Sequence, residues 1–135
     1  MNDFDKGKLL EIFEELLLIH SPSKKEENVA KYIISFLEDL GGEIYLDKSN
    51  DRYGGSAPTI FAKFKGEGGG VTFSNHMDVI EPNKNLKIIK DEKVWKSDGT
   101  TTLGGDDKGG VASVLYSIYY IIKNNIKHRD IYAIF

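Results

Sequence analysis

Apolar residues in the first third of the chain recur at helical spacing in two segments. The first segment, Lys8–Ile19, predicts an amphipathic helix that ends before Pro22, because a residue preceding proline is pushed away from helical angles. Ser23 and Glu26 have the spacing of a capping box, which predicts the start of a second helix. Its apolar stripe is Val29, Ile33, Phe36, Leu37 and Leu40, and Gly41–Gly42 should end it.

The apolar period then changes to that of short strands separated by glycine-bearing turns. The predicted strands are Glu43–Asp47, Thr59–Phe64 and Val71–Asn75, with a loop at Ser49–Ser56 and a hairpin formed by Lys87–Lys90 and Val94–Lys96. A third helix, Gly109–Asn124, carries apolar side chains around most of its circumference, so other parts of the protein should cover it. The apolar run Asp130–Phe135 is typical of a central strand of a parallel sheet covered on both faces. This order of elements predicts an α/β fold.

Composition narrows the class of protein. The chain has 135 residues, a formal charge of -3, 40% hydrophobic and 29% charged residues, as expected for a globular domain with one core. Mild acidity and scattered basic residues argue against nucleic acid as a partner. The sequence contains no apolar run long enough for a membrane anchor, so a cytoplasmic protein is expected. Cysteine is absent, so any metal must be held by imidazole and carboxylate groups.

One cluster of residues that could bind metal or take part in catalysis follows the strand that begins at Val71. His76 and Asp78 are two positions apart in an extended segment, so their side chains should point to the same side. A carboxylate in that position can accept a hydrogen bond from the imidazole nitrogen that does not bind metal. The alternative interpretation is a surface pair or an ordinary satisfied polar contact.

A second cluster, Ser97–Gly110, runs directly into the third helix. Its adjacent carboxylates, Asp106 and Asp107, are flanked by glycine pairs, which indicates a metal role for at least one of them. Asp107 could instead cap the helix, although capping explains Gly104–Gly105 less well. Phosphate binding is disfavoured, because Lys108 is not followed by Ser or Thr. Together the two clusters supply the ligand types of a hydrolytic zinc site.

The motifs Ile19–Ser23, His76–Val79 and Ser97–Gly110 in this order resemble the two-zinc peptidases, a family that includes glutamate carboxypeptidase and aminoacylase, and in particular its peptidase T subgroup. The resemblance implies a three-layer α/β sandwich with a mixed, largely parallel sheet. Residues 1–135 would be the N-terminal part of the catalytic, zinc-binding domain. The lid or dimerisation domain and the C-terminal catalytic part would lie outside this sequence.

The resemblance also implies roles for single residues. His76 would be the terminal ligand of one zinc, Asp78 the catalytic-site carboxylate that orients His76, and Asp106 the ligand that bridges both zincs. The peptide bond after the bridging aspartate, Asp106–Asp107, would be cis. The two other histidines, His20 and His128, lie in connecting segments and are expected to be exposed to solvent rather than to bind metal.

The implied activity is zinc-dependent release of N-terminal residues from short peptides, as in an aminotripeptidase. In relatives the base is a glutamate that follows the strand corresponding to Asp130–Phe135. We therefore expect the 135-residue chain to be inactive alone and to bind zinc weakly at most. The alternative is a non-catalytic interaction or metal-binding module that associates with itself through exposed apolar surface of the sheet and the third helix.

Overall fold

The predicted helices and strands all occur in the computed structural model of the chain, which describes residues 4–135. The elements are α1 (Lys6–Leu18), α2 (Glu27–Asp39), β1 (Glu43–Asp47), α3 (Asn50–Tyr53), β2 (Thr59–Phe64), β3 (Val71–Ser74), β4 (Ile88–Lys90), β5 (Trp95–Ser97), α4 (Gly105–Lys123) and β6 (Ile131–Ile134). The short helix α3 lies in the segment predicted as a loop. Within residues 4–135, none of the helices combines the length and the apolar character needed to cross a membrane.

The main sheet has the strand order β1-β2-β6-β3. Strands β1, β2 and β6 pair antiparallel, whereas β3 and β6 pair in parallel. The prediction of an α/β fold with a mixed sheet is therefore confirmed, and β6 lies inside the sheet as predicted. Strands β4 and β5 form a separate antiparallel hairpin.

Successive side chains of the interior strands point to alternate faces of the sheet, and this determines which of them enter the core. Ile60, Ala62 and Phe64 of β2 and Ile131 and Ala133 of β6 are buried against the helices. The residues between them point to the opposite, outer face of the sheet. On that face Tyr132 and Ile134 of β6 are half-buried, so the prediction that this strand is covered on both faces does not hold in the described part of the chain.

Helix α4 is covered by other elements of the protein, as the apolar side chains around most of its circumference predict. Val111, Leu115 and Ile118 are buried in the same core as α1 and the sheet. The expectation that this helix presents exposed apolar surface for association is therefore wrong. Asp106 and Asp107 have non-helical backbone angles, so the regular part of α4 begins at Lys108.

The start of α2 differs from the predicted capping box. Glu26 accepts a hydrogen bond from the backbone N–H of Lys24 at 2.6 Å, not from Ser23. The hydroxyl of Ser56, from a distant loop, accepts from the N–H of Glu27 at 3.3 Å. The prediction that Ser23 caps this helix is therefore wrong, because a tertiary contact satisfies the helix start instead.

Candidate metal centre

The segment that carries His76 leaves the carboxyl end of β3, where sites gather in open α/β sheets. The N–H of Asn75 donates to the carbonyl of Ile134 at 3.0 Å, which extends the pairing of β3 with β6. Further along, the N–H of Val79 donates to the carbonyl of Ser21 at 2.9 Å. His76 therefore lies between two fixed backbone positions.

Both nitrogens of the His76 imidazole face carboxylates. Nδ1 lies 3.1 Å from Oδ1 of Asp78 and 3.1 Å from the Asp78 backbone oxygen. Nε2 lies 3.1 Å from Oδ1 of Asp106. The structure thus brings together the three residues that the sequence singles out, His76, Asp78 and Asp106, with Asp78 on the nitrogen opposite Asp106.

The backbone before α4 places Asp106 at this position. Gly104 has a φ of 79°, a left-handed conformation that suits glycine, and so explains part of the glycine-rich motif. The Asp106–Asp107 peptide bond is cis, as the resemblance implies. The side chains of Asp106 and His76 are 89% and 52% exposed, so the pair is accessible from solvent.

Asp107 makes contacts on the opposite side of the same peptide. Its Oδ2 accepts from Nδ2 of Asn75 at 2.6 Å, and its Oδ1 accepts from the N–H of Gly110 at 3.2 Å. The capping interpretation of Asp107 is therefore correct. Asn75 has no signal in the sequence that marks it as a partner of Asp107, because the two are 32 positions apart.

The two carboxylates set the electrostatics of the imidazole. Partial burial lowers the pKa of His76, but the hydrogen bond with Asp106 and the charge of Asp78 outweigh it, so the pKa is raised above its ordinary value. The hydroxyl of Ser23 donates to Asp78, which lowers the pKa of that carboxyl, and His76 acts in the same direction. Asp78 is therefore a carboxylate near neutral pH.

The donor set agrees with zinc in kind and is incomplete in number. An imidazole nitrogen and a carboxylate oxygen are zinc ligands, and a carboxylate on the second imidazole nitrogen is the usual support. Residues 4–135 contain no group of three or more His, Cys, Asp or Glu side chains arranged to hold a metal ion. His20 lies 2.8 Å from Glu81 and His128 lies 2.7 Å from the carbonyl of Arg129, both partly exposed.

Comparison with known proteins identifies relatives of the chain. The uncharacterized protein YqjE of Bacillus subtilis is 34% identical over 129 residues, which are 94% of this chain and 35% of that protein. Peptidase T of Clostridium perfringens is 36% identical over 98 residues, 68% of this chain and 23% of the enzyme. No protein-family model matches the sequence.

Solved structures give the same relationship. A tripeptidase from Staphylococcus aureus superposes with a TM-score of 0.92 at 29% identity, over 98% of this chain and 36% of that one. The chain thus spans about a quarter to a third of the length of the relatives it matches. By sequence and by fold, the chain belongs to the peptidase T-like proteins.

Proposed function

We propose that the chain is the N-terminal part of the catalytic domain of a cytoplasmic, zinc-dependent peptidase that removes N-terminal residues from short peptides. The observation that carries this proposal is the convergence of His76 Nε2 and Asp106 Oδ1, 3.1 Å apart, with Asp78 on the other imidazole nitrogen. The similarity to peptidase T and to a tripeptidase supports the choice of substrate class.

Each of the three side chains has a distinct role in this proposal. Asp78 holds a proton on Nδ1 of His76, which leaves the lone pair of Nε2 free to bind metal. Asp106 would supply a carboxylate oxygen as a further ligand to metal bound beside that lone pair. When bound, a pair of zinc ions supplies Lewis-acid activation of water and of the scissile carbonyl.

Exposure of the pair is consistent with an incomplete site. Zinc sites in proteins use three or four ligands, whereas His76 and Asp106 supply two. We therefore propose that the chain binds zinc weakly and does not hydrolyse peptides without the ligands and the general base that the rest of such an enzyme supplies. To hydrolyse peptides alone, the chain would need a general base beside His76 and Asp106, and residues 4–135 do not place one there.

Zinc titration by isothermal calorimetry tests the metal site. We expect weak binding by the wild-type chain and a loss of at least about tenfold in affinity for His76→Ala and for Asp106→Ala, because each removes a ligand. His128→Ala is the matched control and should bind as the wild type does. Equal affinity in the wild type and the His76→Ala variant would contradict the proposed site.

The activity arm of this experiment uses a chimera in which the chain replaces the corresponding segment of the Staphylococcus aureus tripeptidase. The close superposition of the two folds makes this exchange possible. We expect the isolated chain to leave a tripeptide intact with zinc or cobalt added, and the chimera to hydrolyse it unless His76 is replaced by alanine. A folded, metal-loaded chimera without activity would argue against the proposal.

The second candidate function is a non-catalytic module that associates with itself. It is favoured by one observation, the exposed ring pair on the outer face of the sheet, where Tyr45 and Phe61 are 67% and 36% exposed and their ring centroids are 5.9 Å apart. Apolar surface of this kind often marks an interface. Helix α4 does not contribute to it, since its apolar side chains face the core.

A further inference from the structure

The connection between α1 and α2 is tied to the segment that carries His76. The hydroxyl of Ser21, which is fully buried, donates to the carbonyl of Met77 at 2.9 Å. The N–H of Val79 donates to the carbonyl of Ser21 at 2.9 Å, and Pro22 and Val79 form a parallel bridge. This connection, Ile19–Ser23, therefore runs beside the metal-site segment as a short extra strand.

A buried lysine fixes the same connection from the other side. Lys108 is 1% exposed, and its Nζ donates to the carbonyl of Ile19. Lys108 begins the regular part of α4, directly after the aspartate pair. The connection is thus held against both of the segments that supply the proposed metal ligands.

Ser23 projects from this fixed connection to Asp78. Its hydroxyl donates to Oδ2 of Asp78, while Oδ1 of the same carboxylate lies 3.1 Å from Nδ1 of His76. The last torsion of an aspartate is broad and roughly two-fold, so a carboxylate with one partner can turn. A second partner on the other oxygen restricts that rotation and keeps Oδ1 directed at the imidazole.

The local alternative for Ser23 does not occur. A serine at this position would ordinarily cap the helix that follows. Here Glu26 and Ser56 bond to the backbone N–H groups near the start of α2. The hydroxyl of Ser23 is therefore directed to Asp78, 55 positions away in the sequence.

We propose that Ser23 is a positioning residue of the metal site, which acts on His76 through Asp78. Its hydroxyl holds the Asp78 carboxylate so that the proton of the neutral imidazole stays on Nδ1 and the lone pair of Nε2 is directed at the metal position. The consequence for metal binding rests on the proposed function. The effect on the imidazole proton does not, because it exists without metal.

The test is the tautomer of His76, observed by long-range ¹H–¹⁵N correlation in the metal-free, ¹⁵N-labelled chain at a pH well above the raised pKa of His76, where the imidazole is neutral. We expect the Nδ1–H tautomer in the wild type and in Ser23→Thr, which keeps a hydroxyl. In Ser23→Ala we expect a mixture with the Nε2–H tautomer. Ser56→Ala is the matched control, since it removes a serine hydroxyl bonded to a different carboxylate, Glu27.

A zinc titration of the same proteins measures the consequence, and we expect affinity to fall about tenfold in Ser23→Ala and to stay unchanged in Ser23→Thr and Ser56→Ala. An unchanged tautomer in Ser23→Ala would overturn the inference, as would the Nε2–H form in the wild type. If Ser23→Ala does not fold, Ser23→Gly, which also lacks the hydroxyl, takes its place. A wild-type chain that binds no zinc would contradict the proposed function, while the tautomers would still decide the role of Ser23.

Discussion

Two adjacent aspartates at the start of α4 have different structural roles. Asp106 is exposed and faces His76, whereas Asp107 turns inward and bonds to Asn75 and to the backbone of Gly110. The inward contacts fix the peptide from which Asp106 projects. At the scale of single residues, the position of a proposed ligand therefore depends on the packing of its neighbour.

The space beside Asp107 explains one glycine of the motif. A Cβ on Gly110 would lie 2.3 Å from Oδ1 of Asp107 and 2.5 Å from Nδ2 of Asn75. We expect Gly110→Ala to lower the free energy of unfolding by about 1–3 kcal/mol, because the added methyl displaces both polar groups. Urea unfolding followed by circular dichroism would measure this change in the free energy of unfolding.

Gly109→Ala is the matched control for this substitution. Its Cβ would meet nothing closer than Phe13, at 3.9 Å. Alanine has the higher helix propensity, so the control should be neutral or more stable by about 0.5–1 kcal/mol. Equal effects of the two substitutions would show that the space beside Asp107 does not select glycine.

The residues of the site differ in how far the sequence could reveal them. Spacing within one extended segment predicts the contact of His76 with Asp78, and the carboxylate–glycine motif marks Asp106. The contact of Ser23 with Asp78 could not be predicted, because it depends on how a distant connection packs beside the His76 segment. The local signal at Ser23 and Glu26 favoured a helix cap, and tertiary contacts replaced it.

At the scale of elements, one carboxylate joins the turn after β2 to the start of β6. Oδ1 of Asp130 accepts from the N–H of Gly66 at 2.7 Å. That hydrogen bond lowers the pKa of Asp130, burial opposes it, and the hydroxyl of Tyr132 and the charge of Lys63 add to it. The ionised carboxylate therefore stabilises the junction of the two strands.

Because the pKa of Asp130 is lowered, the difference in the free energy of unfolding between the wild type and Asp130→Asn should depend on pH. The folded protein binds this proton less readily than the unfolded chain, so the charge contributes stability that is fully present above the ordinary pKa of 3.8. The contribution is lost as pH falls through the folded value. Urea unfolding of both proteins should give a difference in the free energy of unfolding that is constant near neutral pH and shrinks below about pH 4. A difference independent of pH would contradict this role.

Strand and helix positions were predictable where apolar residues repeat over several positions. Strands β1 and β2 begin and end at the predicted residues, because alternation and flanking glycines define them. Helix α3 was not predicted, since its four residues, Asn-Asp-Arg-Tyr, contain no apolar repeat. The helix ends at Gly54, whose φ of 68° is a left-handed conformation that suits glycine.

For the molecule as a whole, the order of strands could not be obtained from the sequence. Strand β6 pairs with β2 and with β3, and these contacts join segments that are far apart in the chain. Hydrophobic pattern specifies which face of a strand is buried but not which strand lies beside it. The pattern of β6 did predict an interior position, because both of its faces carry apolar side chains.

The outer face of the sheet predicts the association behaviour of the chain. Tyr45 and Phe61 are exposed there, and Tyr132 and Ile134 of β6 lie on the same side. We expect light scattering to show association of the wild type at high concentration and a monomer for the double variant Tyr45→Ser/Phe61→Ser, because apolar surface left in water favours contact between copies.

The control for the association experiment is Leu18→Ser, which removes an equally apolar side chain that is 57% exposed at the end of α1. It should associate as the wild type does, since a single exposed leucine is common on protein surfaces. A wild type that stays monomeric at all concentrations would exclude the interaction module as the function of this chain.

The place of β6 in the sheet has a consequence for how the chain matures during synthesis. Among the described strands β3 forms its ladder with β6 alone, although β6 is made 57 residues later (from 74 to 131). Until the ribosome has made β6, β3 has no strand partner, and the backbone before His76 lacks its hydrogen bond to Ile134. The nascent polypeptide therefore fixes β3, and with it one of the two backbone anchors of His76, only after slow closure of a long loop.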